Sequence, residues 1–140
     1  MYLSTLITDN VSELLVKILE FTRARHEVLV ENINDMYEPG FSPKDLEVEQ
    51  FAELMDEAID EHQLCGRLRL RDTQHIKFGE NGRFEVRTVI DEDAKELLEQ
   101  NVKDYVKLQK GKLKENLVNH RLAREILKQK QGITSVFSGY

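Results

Sequence analysis

The sequence predicts a mainly α-helical fold in which long N- and C-terminal amphipathic helices pair as a coiled-coil-like bundle, with a short irregular or β-hairpin segment in the middle. Apolar residues recur at spacings of three and four over residues 11–36 and again over 94–127. Both of the chain's prolines, Pro39 and Pro43, fall between these stretches and beside Gly40. At 140 residues, the chain has the length of one domain, 1–140, with room for a modest core.

Residues 9–37 read as the first helix. Val11, Leu14, Leu15, Ile18, Leu19, Phe21, Val28, Leu29, Ile33 and Met36 form its apolar stripe, and Asp9 or Asn10 caps its start. Glu38-Pro39-Gly40-Phe41 then suits a tight turn over 38–42. Pro39 presets φ at the second position, and Gly40 is free to take positive φ at the third. Ser42 as cap, Pro43 at the first helical position and Asp45 in the first turn predict a new helix over 43–63, burying Phe51, Met55 and Ile59. Residues 66–90 alternate at Leu68 and Leu70 and again at Phe84 and Val86. The Gly79-Glu80-Asn81-Gly82 turn signal between them predicts an irregular segment or hairpin. Helical periodicity returns over 91–131, from Ala94, Leu97 and Leu98 to Ile126 and Leu127, with Gly111 as its weak point and Gly132 as its stop. Two such terminal helices bury their stripes most simply against each other.

The net charge of −6 argues against nucleic acid as a partner, and the basic run Lys103, Lys107, Lys110, Lys112 and Lys114 is interleaved only by Tyr105. Charge is unevenly placed. Asp45, Glu47, Glu49, Glu53, Asp56, Glu57, Asp60 and Glu61 crowd residues 42–63, whereas Lys and Arg dominate 103–130. Either these are two solvated helix faces, or they steer copies together. No stretch has the length of a membrane span, and the first ten residues lack the basic region of a secretory signal. Cys65 is the single cysteine, so no internal disulfide forms.

A search for chemistry returns little. His26, His62, His75 and His120 never stand four apart, and none has glutamate three residues before it, so the helical zinc and di-iron patterns are missing. The glycines are scattered, without a phosphate loop. The acidic run lacks the alternation of a calcium loop, and Cys65 near His62 has no third orienting group. The expectation is a non-enzymatic protein with no cofactor and no metal.

Arg25, Val28, Leu29, Asn32 and Ile33, followed by Pro39, Gly40 and Phe41, resemble the N-terminal signature of bacterial flagellar rod and hook proteins, roughly R-x-x-L-x-x-N-I-A-N-x-x-T-P-G-Y. The interval from Asn32 to Pro39 matches. Asn34, Asp35 and Glu38 stand where that pattern has alanine, asparagine and threonine. Leu70, Thr73, His75 and Ile76, and the closing run Asn116, Asn119, His120, Ala123, Ile126, Leu127 and Lys128 with Ser138-Gly139, are similar to the proximal-rod members. The resemblance covers most of residues 20–139. It implies a structural subunit of the periplasmic basal-body rod, exported by the flagellar type III route without a cleaved signal. Its implied partners are other rod proteins, copies of itself and the basal-body adaptor at the membrane ring, with no nucleic acid and no membrane insertion. Arg25, Asn32, Ile33, Pro39, Gly40 and Phe41 are its structural motif. The alternative is a soluble cytoplasmic helical adaptor or export chaperone, which would also be acidic, helical and poor in cysteine.

Overall fold

A computed structural model describes residues 10–79 and 83–131. In chain order it has α1 (Asn10–Asn34), β1 (Lys44–Asp45), α2 (Val48–Cys65), β2 (Ile76–Lys77), β3 (Glu85–Val86), β4 (Val89–Ile90), α3 (Glu92–Gln100) and α4 (Val102–Gln131). The chain is mainly helical, and the long terminal helices α1 and α4 pack together, as their periodicity predicts. They run antiparallel: Asn32, near the end of α1, bonds Gln109 early in α4, whereas Thr22 meets Asn116 and His120 further along. Among the described residues, no helix is long and apolar enough to cross a membrane.

The first helix closes three residues earlier than expected. Asp35 N–H still donates to Glu31 O at 2.8 Å, but Glu38 N–H turns back to Asp35 O at 2.9 Å, so residues 35–37 form a turn. Asp9, one of the two candidate caps, lies outside the described residues. Asn10 is instead the first helical residue. Its Nδ2 donates to Gly66 O at 3.1 Å and lies 3.1 Å from His62 Nδ1, tying the start of α1 to the end of α2.

The expected helix over 43–63 is corrected at its start. Residues 43–47 are not helical, and α2 begins at Val48 with no side-chain cap from Glu47. Ser42 and Pro43 supply a helix-start signal, but tertiary partners claim this stretch first. Lys44 and Asp45 pair antiparallel with Ile90 and Val89, Asp91 N–H donates to Pro43 O at 3.0 Å, and side chains of α1 take the remaining polar groups. At the other end α2 continues to Cys65, where Gly66 adopts φ +69° and donates to His62 O.

The middle contains the hairpin, with β2 and β3 paired Ile76 to Val86 and Lys77 to Glu85. Its turn residues 80–82 lie outside the described set. Leu68 and Leu70, read as strand positions, are not in a strand; they pack on the core from an extended connection. β4 belongs to a second ribbon with β1.

The last helix is interrupted at Asn101, not at Gly111, which sits inside α4. Asn101 has extended backbone (φ −156°, ψ 100°) and terminates both neighbours. Its N–H donates to Leu97 O, its carbonyl accepts from Tyr105 N–H, and its Oδ1 accepts from Asp104 N–H at 3.1 Å. A residue that completes two helix ends at once outweighs a glycine that costs about 1 kcal/mol. Asp91 caps α3, its carboxylate accepting from Ala94 N–H at 3.1 Å. Gly132, the expected stop of α4, and the Ser138-Gly139 ending lie outside the described residues.

The apolar core lies on one side of α1. Leu14 and Phe21 meet Phe51, Leu54, Met55 and Ala58 of α2 and Ile76 and Phe78 of the hairpin region. Phe21 and Phe51 stack with centroids 4.0 Å apart, and Phe84 approaches Phe51 edge-on at 6.1 Å. Ile59, expected inside, is 42% exposed; Leu54 and Ala58 occupy the core face instead.

Phe51→Ala is expected to cost about 3–5 kcal/mol, because it removes a ring packed on two others. Leu122→Ala, at a position 59% exposed, is expected to cost under about 1 kcal/mol. Chemical denaturation of both variants checks the contrast, and equal losses would contradict this placement of the core.

Candidate functional site: a buried polar seam behind the Pro-Gly corner

The seam between α1 and α4 is built from polar side chains at core positions. Arg25 and Asn32 stand one heptad apart on α1, and Gln109 and Asn116 one heptad apart on α4. All four are buried, and Tyr105 and Gln109 are fully so.

Asn32 is the centre. Its Oδ1 accepts from Lys44 N–H at 3.0 Å and its Nδ2 donates to Lys44 O at 2.7 Å, so one carboxamide satisfies both backbone groups of a residue twelve positions away. The same Nδ2 donates to Gln109 Oε1 at 2.9 Å, and the Tyr105 hydroxyl donates to Asn32 O at 2.7 Å. These bonds fix both amide orientations and leave Gln109 Nε2 as the one unpartnered buried side-chain polar atom among the described residues.

One heptad earlier, Arg25 grips the next residue of the returning chain. Nε donates to Asp45 Oδ1 at 3.0 Å and an Nη to Oδ2 at 3.1 Å, a forked pair that lysine could not reproduce. Its other Nη reaches the exposed Glu115 at 3.4 Å. Asp45 also accepts from Leu46 N–H at 2.7 Å, while Lys112 Nζ bridges Asp45 at 3.2 Å and Asp91 at 2.6 Å. Three carboxylates thus surround two cations, drawn from α1, β1, α4 and the junction between β4 and α3. Further along, Asn116 donates to Thr22 O at 2.7 Å, and His120 Nδ1 lies 2.7 Å from the Thr22 hydroxyl.

Ionisation follows this geometry. Burial pushes the Asp91 carboxyl up, but Lys112 and the Ala94 amide outweigh it and hold it below the usual range. Burial likewise pushes the Lys112 ammonium down, and its bonds and attraction to Asp91 and Asp45 carry it above its ordinary value. The Tyr105 hydroxyl is pushed up to about 12 by burial and by the Asp91 charge. His120 is lowered, by burial and then by Arg124, Arg23 and His26.

Of the motif residues, Arg25 and Asn32 meet in this seam. Ile33 is half-buried beside it. Pro39 and Gly40 are exposed at the tip, and Phe41 is half-buried. The turn has the expected form: Phe41 N–H donates to Glu38 O at 3.1 Å, and Gly40 has φ +77°. A Cβ at Gly40 would meet nothing within 4 Å, so glycine is required there by backbone conformation alone. Thr73 and Ile76 close a compact loop through Thr73 N–H to Ile76 O and Ile76 N–H to Thr73 Oγ1, and His75 pairs with Glu47 at the foot of α2.

The sequence reading gave Tyr105, Gln109, Lys112, Asp45 and Asp91 no place in this seam. Asp45 and Lys112 were counted in outward charged faces but are paired inside the chain. The available signal was polar residues at heptad spacing, which a search for apolar repeats passes over. Conversely, Ile126, read as a stripe position, is 38% exposed, and Leu117 and Leu122 within the same periodic stretch are 41% and 59% exposed. No group of three or more metal-ligating side chains occurs among the described residues. No protein-family model, curated protein or solved structure matches this chain.

Two outcomes are expected. Arg25→Met strands Asp45 without its fork and should cost on the order of 3 kcal/mol, read by denaturant unfolding; a change below about 0.5 kcal/mol would contradict a coupled network. For pH, Tyr105 and Lys112 both have folded values above their ordinary 10.0 and 10.5. Their stabilisation is complete below those values and lost as pH rises through the folded ones, so stability should fall from about pH 10 to 12. Tyr105→Phe should be weaker at neutral pH by about 1–3 kcal/mol, for the lost donor, and flatter across that alkaline limb.

Proposed function

We propose that the chain is a structural subunit of the proximal rod of the bacterial flagellar basal body, of the FlgB type, assembling through its terminal helices. The observation that carries the reading is the role of the two polar residues in the rod-like signature. Arg25 and Asn32 are the side chains that clamp Asp45 and Lys44, folding the segment after the Pro-Gly turn back onto α1. A motif whose polar members are buried and spent on backbone geometry suits a building block, because every copy in a tube must present the same corner.

The role is mechanical, not enzymatic, and calls for no cofactor. The paired helices form a stiff unit, and the α1–α4 seam fixes their register through hydrogen bonds that a slipped pairing would leave unmade. Copies of the chain, other rod proteins and the basal-body adaptor at the membrane ring are the partners of such a subunit, placed in the periplasmic rod after type III export. Asn116 and His120, both in the resembling closing run, meet Thr22 across that seam.

Fractionation of cells carrying a tagged copy tests the reading. Recovery with purified basal bodies is expected, and a wholly cytosolic pool would overturn it in favour of an adaptor or export chaperone. Gly40→Val imposes a conformational cost of about 1–2 kcal/mol without a steric clash. The variant should therefore remain folded by circular dichroism yet lose motility, with Pro39→Ala milder. Full motility of Gly40→Val would count against the corner as a determinant of assembly.

A further inference from the structure

We infer that the groove between α1, α2 and α4 seats the opposite, basic flank of α4 from a second copy of this chain, so that copies associate head to tail. The inference deepens the rod reading and rests on it for its biological setting; the two faces themselves are defined by exposure and charge.

The groove has a volume of about 350 Å³ and is lined by Ile18, Met55, Ile59, Leu122 and Ile126 among others. Ile59, Leu122 and Ile126 remain 38–59% exposed in the isolated chain. Helices α2 and α4 both rest on α1 but leave this channel between them, the place a further helix would fill. Its α2 wall is acidic. Glu49, Glu53, Asp56 and Asp60 recur at helical spacing beside the lining stripe, and Asp56 itself lines the groove. None of the four joins an ion pair among the described residues. An occupant must therefore bring an apolar ridge flanked by cations.

The chain presents such a ridge on its far side. At 100° per residue, Leu117 is turned roughly 140–180° away from Leu122 and Ile126 around α4. Leu117 is 41% exposed, and Leu113, one turn earlier and about 40° round the helix from it, is half-buried. Lys114, Arg121 and Arg124 of α4 and Arg23 and His26 of α1 surround it, all exposed. His120 is opposed in its ionisation first by burial and then by Arg124, Arg23 and His26. An acidic-walled apolar groove and a basic apolar ridge on opposite flanks of one helix are complementary between copies and not within one. Because the two faces differ, the contact is heterologous and repeats without closing, as a filament requires.

Sedimentation velocity over a concentration series, at low and physiological salt, tests this with wild type, Asp56→Arg and Arg121→Glu. Both changes are at exposed positions, and circular dichroism checks that the variants fold. Wild type should associate with rising concentration and less so in added salt, since surface charges are screened beyond about 8–10 Å. Each charge reversal should weaken association by roughly tenfold or more. An equimolar mixture of the two variants should associate again. The reversed groove of one variant then meets the reversed ridge of the other, and the native groove of the second meets the native ridge of the first. A wild type that stays monomeric, single variants that match it, a closed dimer, or a mixture that stays apart would each overturn the inference. Recovery of a non-associating chain with basal bodies would leave the rod reading standing; a chain that associates this way but stays cytosolic would do the reverse.

Discussion

Both backbone groups of Lys44 end on one side chain, the carboxamide of Asn32, and the rest of the structure depends on that bond pair. It holds residues 43–46 extended where their local sequence favours helix. Extended, Lys44 and Asp45 can pair with β4, and Asp45 can turn its carboxylate to Arg25. Pairing with β4 in turn brings Asp91 to the spot where it caps α3 and meets Lys112. The position of the second half of the chain is thus inherited from one buried amide.

α1 faces two different environments. Toward α2 and the hairpin it buries Leu14 and Phe21 in a compact aromatic cluster, where stability comes from apolar area and ring stacking. Toward α4 it presents Thr22, Arg25 and Asn32 to Asn116, Glu115 and Gln109. Buried polar contacts of this kind add little net stability over an apolar packing. Gln109 Nε2, buried without a partner, is a direct cost of about 1–3 kcal/mol. What the polar seam supplies is register, since sliding α4 by one turn would strand every buried donor and acceptor at once. An apolar seam would tolerate that slip.

The division also explains the surface. With its seam positions given to small and polar residues, α4 leaves Leu117, Val118, Leu122 and Ile126 facing outward. Exposure of these residues suits the proposed contact between copies, in which the acidic and basic flanks around them would set the direction. The polar register within the chain and the exposed apolar residues outside it come from the same exchange of residue types along one helix.

The sequence by itself determined the helical class, the long terminal helices and the Pro-Gly turn, because each rests on local periodicity or on backbone conformations that only particular residues adopt. Gly40 at φ +77° is the clearest case. The sequence left the middle as an irregular segment or hairpin. Arg25 and Asn32 stood out only through the resemblance to the rod and hook signature. Tertiary structure decided the rest. The Ser42-Pro43 start signal lost to contacts from α1 and β4, and Asn101 took the helix break from Gly111 by completing two helix ends. Asp45 and Lys112 left the charged surface for a partly buried pair. Long-range partners carry no local signature, since Asn32 and Gln109 are joined across 77 positions by a fold that neither residue encodes alone.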